Sequence, residues 1–368
     1  MKKLLTTTTA AILAGVLAMS GTAMAKSKPI KVKVGGYMET WIGVTDNEEG
    51  SDHLANDYSN WDVKTDSEVH VKGSTTHDNG VKYGFKIEIE TSGTDGGGAI
   101  DESEMYASGA FGKLNLGSGE VASEGLHFAA PENGIGLNKN DHSDWVIMPT
   151  GHVQSTSTSM DLGMDDDANI TYYSPRVNGF QIGLSYAPED NTDADALNLL
   201  SAMDHTGIFA GLNFNKKLGG STVKASFGWG QVESADDSGD PNKDGWSVGF
   251  GLKYGNVNFG FSFLDEEDKQ GAGQADASVQ VFNIGVVYTL GGGSSVGAGY
   301  WSSAAESAKT TAGDDETEGY QVAFKHVLGK GVDVKLAFIM TDYDGENNTI
   351  TTDDNDGHAV VLGLDLQF

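Results

Sequence analysis

The chain has 368 residues, 51 of them glycine, no cysteine and a formal net charge of −30. Without cysteine there is no disulfide scaffold, thiolate metal site or cysteine nucleophile. The acidic balance excludes a nucleic-acid partner, because phosphate contacts need a basic face.

The chain opens with Met1-Lys2-Lys3, an apolar run from Ala10 to Met19, and the small-x-small pattern Ala23-Met24-Ala25. This order predicts a bacterial secretory signal peptide over 1–25, leaving 26–368 as the mature domain. No later run of about 18 apolar residues offers a transmembrane helix.

From there the chain repeats a period of two. Over 81–90, Val81, Tyr83, Phe85, Ile87 and Ile89 alternate with Lys82, Gly84, Lys86, Glu88 and Glu90. The same alternation runs through 332–340 and again through Val360, Leu362, Leu364, Leu366 and Phe368. Strands whose alternate side chains face lipid read this way. A soluble sandwich also alternates, but here the apolar set is aromatic and aliphatic in nearly every run.

Connections alternate in length. Tight turns are expected at Asn79-Gly80, Phe111-Gly112, Asn178-Gly179, Gly219-Gly220, Gly255-Asn256, Gly291-Gly292-Gly293 and Gly329-Lys330-Gly331. Longer acidic stretches fall near 45–60, 92–100, 119–166, 188–204, 234–243, 265–277, 303–317 and 343–357. Seven turns and eight loops imply sixteen strands: an all-β, transmembrane antiparallel barrel with short turns on one rim and long loops on the other. In hydrocarbon an open sheet edge is not viable, so the strand near 30–44 must pair with the one near 356–368. Sixteen tilted strands enclose water. Trp41, Trp229, Trp246, Tyr254, Tyr288, Tyr300, Trp301 and Tyr320 are candidates for the interfacial aromatic girdles.

The segment 119–166 is far longer than its neighbours and has no sustained period, which marks a functional loop. It follows Phe111-Gly112-Lys113-Leu114-Asn115-Leu116-Gly117 and contains Pro131-Glu132-Asn133-Gly134. With the signal peptide, the strand count and the terminal phenylalanine, this order resembles a Gram-negative general porin. Tyr173-Ser174-Pro175-Arg176-Val177-Asn178-Gly179-Phe180 is similar to the strand–turn–strand after the third loop in porins of the alphaproteobacterial type. The resemblance implies a homotrimer in the outer membrane, in contact with lipopolysaccharide, that passes ions and small hydrophilic solutes. It also implies a third loop folded inward, its acids facing basic residues on the wall. Carried over, the loop acids are Glu120, Glu124, Glu132, Asp141 and Asp144. Arg176 is the sole arginine, so the wall bases would be lysines of lumen phase: Lys33, Lys82, Lys86, Lys224, Lys325 and Lys335. Lysine is a flexible point charge without arginine's rigid fork. The acidic excess then predicts a weakly cation-selective diffusion pore.

No motif requires a cofactor. Asp240-x-Asn242-x-Asp244-Gly245 matches the first half of a calcium loop, but its twelfth position is Gly251, so an Asp/Gly-rich turn is the better reading. Calcium bound at acidic loops is an expectation on that footing. Three rivals stay open. A sugar-specific channel would stack its ligand on Trp145, Tyr37 or Trp41. A barrel enzyme would need a Ser-His-Asn constellation on its face. A secreted sandwich would bury the apolar face instead.

Overall fold

The computed structural model describes residues 29–47, 59–92, 100–137, 141–149, 151–155, 157–188, 205–234, 242–269, 277–306, 313–345 and 354–368. The leader and Asp240 lie outside these residues.

Among the described residues there are sixteen strands. The first half comprises β1 (Lys31–Asn47), β2 (Trp61–Thr76), β3 (Lys82–Glu90), β4 (Ile100–Gly109), β5 (Gly112–Ser118), β6 (Ala168–Tyr173), β7 (Phe180–Ala187) and β8 (His205–Leu218). The second comprises β9 (Ser221–Ser234), β10 (Asn242–Tyr254), β11 (Val257–Lys269), β12 (Ala277–Gly291), β13 (Ser294–Glu306), β14 (Asp315–Gly329), β15 (Val332–Asp344) and β16 (Asn355–Gln367). A single helical turn, α1 (Ala122–Gly125), lies in the long third loop.

Each strand pairs antiparallel with its chain neighbours, and β1 closes on β16 from Tyr37↔Gln367 to Asn47↔Gly357. Closure runs one residue further. Gly36 N–H donates to the Phe368 carbonyl at 3.1 Å, and Phe368 N–H donates back to Gly36 at 3.1 Å. No edge remains to leave backbone groups unpaired in lipid, which is the condition a membrane imposes. The turns fall where the glycine pairs placed them. At Asn178-Gly179 both residues have positive φ, 53° and 100°, the backbone a two-residue hairpin needs to match strand twist.

The apolar phase faces out. Leu336, Phe338 and Met340 of β15 and Val360, Leu362 and Leu364 of β16 are exposed, and register sets Leu336 beside Leu362 and Phe338 beside Val360. The band continues on β1 through Val34, Met38 and Ile42. Such a belt is stable in acyl chains and untenable in water. Trp229, Trp246, Tyr254, Tyr288 and Tyr320 stand outward, and Tyr300 leans on Tyr320 with ring centroids 4.9 Å apart.

Two of the expected girdle residues do not belong to it. Trp41 and Trp301 point inward and are buried. They sit in the phase opposite to their apolar neighbours, Trp41 between Met38 and Ile42 on the outside and Trp301 beside outward Tyr300. The third loop covers both, which makes an aromatic inside the lumen tolerable.

Candidate functional site

Between β5 and β6, the described residues 119–137, 141–149, 151–155 and 157–167 fold into the barrel. The loop tracks along the inner wall rather than crossing the lumen. Its outward limb is held by polar side chains of five strands, each bonded to a loop backbone group. Ser185 Oγ of β7 accepts from Ala122 N–H (2.7 Å), and Asn213 of β8 donates to the Leu126 carbonyl (3.0 Å). Ser226 of β9 accepts from Phe128 N–H (3.0 Å) and Asn283 of β12 from Ala130 N–H (3.2 Å). Gln321 of β14 accepts from Ile135 N–H at 2.7 Å and donates to its carbonyl at 2.9 Å. The far end docks on the seam: Tyr343 donates to the Val146 carbonyl (3.1 Å) and Thr45 to that of Trp145 (2.6 Å). The return limb uses Asp315, Ser303 and Ser262, which bond Val153 N–H, Ser155 N–H and the Thr158 hydroxyl.

Physical chemistry demands this. A non-helical segment buried in a barrel carries backbone groups that water cannot reach, and each needs a partner. The serines, asparagines and glutamine of lumen phase supply them. Glycines clear the track. A Cβ at Gly249 would stand 2.0 Å from the Phe128 carbonyl oxygen, and one at Gly285 2.3 Å from that of Pro131. Apolar packing completes the seat. Val121, Leu137, Met160 and Leu162 of the loop pack with Phe209, Leu264, Val281 and Trp301, while Ile135 and Trp145 pack with Trp41, Ile339 and Val361. The strict rule of polar residues inside therefore fails on the half of the wall under the loop.

The rest of the wall is charged: β2 to β5, with Lys33 and Glu39 of β1, Lys325 of β14 and Lys335 of β15. The opening between it and the loop includes a cavity of about 840 Å³, where Lys33, Lys325 and Lys335 face Glu132 and Asp141. Both acids also cap loop backbone: Glu132 accepts from Leu137 N–H at 2.9 Å and Asp141 from Gly136 N–H at 3.0 Å. Glu120 lines a second cavity, of about 340 Å³, with Lys86 and Lys113. Lys82 shares a third with Lys72 and Lys86. The remaining three residues lie apart. Lys224 stands over the Phe128 ring at 5.0 Å. Asp144 is influenced by Lys64, Asp62 and Asp66 of β2. Glu124 is in α1, against the acids of the loop's base. Asn242 and Asp244 lie at the start of β10, and Asp240 lies outside the described residues.

Sequence reading missed Glu39, Asp66, His70, Lys72 and Lys113. Their signal was present, since alternate positions on β2 read Asp66, Glu68, His70, Lys72. Lys335 lies 3.1 Å from Glu39 and 3.5 Å from Asp365, Lys72 3.0 Å from Glu88, and Lys113 3.6 Å from Glu104. Lys86 pairs with Glu88 and Glu102, and Lys325 with Asp333. These pairs shape the field a permeating ion meets.

Titration of the loop follows from its burial. Burial, with Asp161 and Glu120 nearby, pushes the Glu124 carboxyl up to about 9. Burial pushes the His127 and His142 imidazoles down to about 4. An unfolded glutamate releases its proton near 4.5, whereas folded Glu124 keeps it to about 9. The stability this group contributes is thus complete below about 4.5 and declines as pH rises toward about 9. For the two histidines the sign reverses, and stability declines as pH falls from 6.5 toward 4. Glu124→Gln should therefore raise the melting temperature at pH 9 and leave it unchanged at pH 4. Thermal melts at both values check this, and an equal effect at both would contradict it.

A closed antiparallel barrel with a lipid-facing exterior, a charged lumen and an internal loop defines a transmembrane channel of the outer-membrane type. The family model for Gram-negative porins matches residues 7–346, and the chain belongs to that family, which places it in the bacterial outer membrane. Among solved structures it is similar to the anion-selective porin of Comamonas acidovorans (TM-score 0.67, 18% identity, covering 92% of this chain and 100% of that one). It is also similar to OmpT, an outer-membrane protein of Vibrio cholerae, in its trimer form (TM-score 0.62, 14% identity, 93% and 100% covered). The outer-membrane channel DcaP of Acinetobacter baumannii matches with TM-score 0.59 and 13% identity, covering 92% and 97%. Comparison with curated proteins gives no match.

Proposed function

We propose that this porin is a homotrimeric diffusion channel for ions and small hydrophilic solutes with a weak preference for cations. The observation that carries the reading is the main cavity, where Lys33 and Glu39 of β1, Asp66 and Lys72 of β2, Lys325 of β14 and Lys335 of β15 meet Glu132 and Asp141 of the loop. Five of the wall lysines, Lys72, Lys86, Lys113, Lys325 and Lys335, each lie within 4 Å of a carboxylate, which cancels their pull on anions at close range. The net acidity of the chain then sets the sign of the residual field. A shared fold does not carry selectivity, because lumen side chains decide it. Of the aromatic residues of the sugar-channel alternative, Trp41 and Trp145 pack against each other between wall and loop, and Tyr37 alone lines the main cavity, which is short of the run of rings a sugar slide needs and favours the unspecific reading.

Reversal potentials across planar bilayers in a KCl gradient test selectivity. The wild type should pass K⁺ in preference to Cl⁻, and the double variant Glu132→Lys, Asp141→Lys should shift toward Cl⁻. A wild type that prefers Cl⁻ overturns the reading. Trimerisation is tested separately, by a heat-dependent shift in gel mobility of the unboiled protein.

A further inference from the structure

We propose that Glu68, His70 and Glu88 form a site on the pore wall for a borderline divalent transition-metal ion, with Zn²⁺ the fitting probe. The three offer ligand atoms that all lie within 4.8 Å of one another. The backbone fixes this arrangement. Glu68 and His70 are two apart on the lumen face of β2, and register sets His70 directly opposite Glu88 on β3. Two adjacent strands of a closed barrel cannot slide, so the ligand set is held in advance.

The second observation is an unmet polar demand. Glu68 is only 8% exposed, and its Oε1 makes no hydrogen bond. Among the described residues its sole ionic neighbour is His70, whose Nε2 lies 3.0 Å from Glu68 Oε2. That nitrogen also makes no hydrogen bond, so the ring is not aligned to donate across the contact. The unbonded Oε1 belongs to the same carboxylate whose Oε2 makes that contact, and 3.0 Å is a little under the roughly 3.4 Å that separates neighbouring ligands of one ion when each metal bond is about 2.1 Å. A buried carboxylate without a partner is costly, and a cation offsets the cost.

The lysines nearby do not close the site. Lys72 reaches Glu88 at 3.0 Å and His70 Nδ1 at 3.1 Å, but its side chain is 51% exposed and can turn into the lumen. Lys86 touches the other Glu88 oxygen, at 3.2 Å, and is also held by Glu102. One imidazole with two carboxylates suits Zn²⁺ and its neighbours in the series better than Mg²⁺ or Ca²⁺, which favour all-oxygen shells. His70 also lines the main cavity, so the bound ion stands on the permeation path, with its fourth position left to water.

Calorimetric titration of the detergent-solubilised full-length protein with ZnCl₂ tests the proposal, with MgCl₂ as comparison. The wild type should bind one Zn²⁺ per chain saturably and Mg²⁺ far more weakly. His70→Ala and, separately, Glu88→Gln should each weaken Zn²⁺ by more than about tenfold. His358→Ala should bind like the wild type, because His358 sits opposite Asp46 on β1 whereas His70 sits opposite Gly35, eleven residues away along the strand. Unboiled gel mobility checks that every variant is folded. No Zn²⁺ binding by the wild type, or equal binding by the wild type and both site variants, overturns the proposal. Binding is read without reference to conduction, so this outcome is separate from the channel reading. In bilayers, Zn²⁺ should lower single-channel current through the wild type and leave His70→Ala unaffected.

Discussion

Trp301→Ala should detach the third loop from the wall and raise single-channel conductance. Trp301 is fully buried, and its ring lies 4.9 Å from that of His142 at the far end of the loop. It also packs in the cluster that contains Leu137, Met160 and Val121 of the loop. Truncating a buried tryptophan costs about 3–5 kcal/mol where the surroundings cannot collapse. Here the surroundings on one side are a rigid barrel, which relaxes little. The loop backbone is held by separate wall side chains such as Ser226 and Gln321, each hydrogen bond worth about 1 kcal/mol. They anchor other segments of the loop, so the end near His142 should loosen first. The barrel itself should persist, because no strand pairing depends on the indole. Conductance and a denaturant melt on the same preparation check the two halves of this claim. An unchanged conductance together with an unchanged melt would show that the indole does not hold the loop.

Leu362→Arg should prevent stable insertion. Leu362 is on the outward face of β16, beside Leu336 of β15 and Ile42 of β1. An arginine near the bilayer midplane of a barrel costs about 2–4 kcal/mol, falling toward the interfaces. On the opposite phase, Lys335→Arg keeps the charge that faces Glu39 and Asp365 and should insert like the wild type. Refolding yield into lipid vesicles, read from the gel shift of the unboiled protein, compares the two. Equal yields would mean that Leu362 does not meet lipid.

Much of the barrel is written in residue pattern. Alternation from Val360 to Phe368, together with the glycine-rich turns, is enough to count strands, place connections and assign the outward face. This works because lipid and a closed sheet impose a period of two on every strand. The path of the third loop is a different matter. Its course depends on which wall positions are small and which carry a hydrogen-bonding group. Gly249, Gly285, Ser226 and Gln321 sit in the right phase for this, but they look like ordinary lumen residues until the loop is seen resting on them. The inward turn of Trp41 and Trp301 has the same origin, because an aromatic at a lumen position is favourable only under a cover that local sequence does not announce. The charged wall was partly legible. Lys33, Lys325 and Lys335 were found by phase, while Glu68, His70 and Glu88 gain meaning only once register sets β2 against β3.

Water is expected between the loop and the charged wall, with the apolar face in lipid. A chain without cysteine permits a direct measurement, because each introduced cysteine is the sole thiol. A membrane-impermeant, positively charged thiosulfonate reagent is added to single channels carrying Asp141→Cys, Lys33→Cys or Leu362→Cys. Stepwise changes in current at positions 141 and 33, with none at 362, are the expected result. Modification at 362 with silence at the other two would place the water on the wrong side of the sheet.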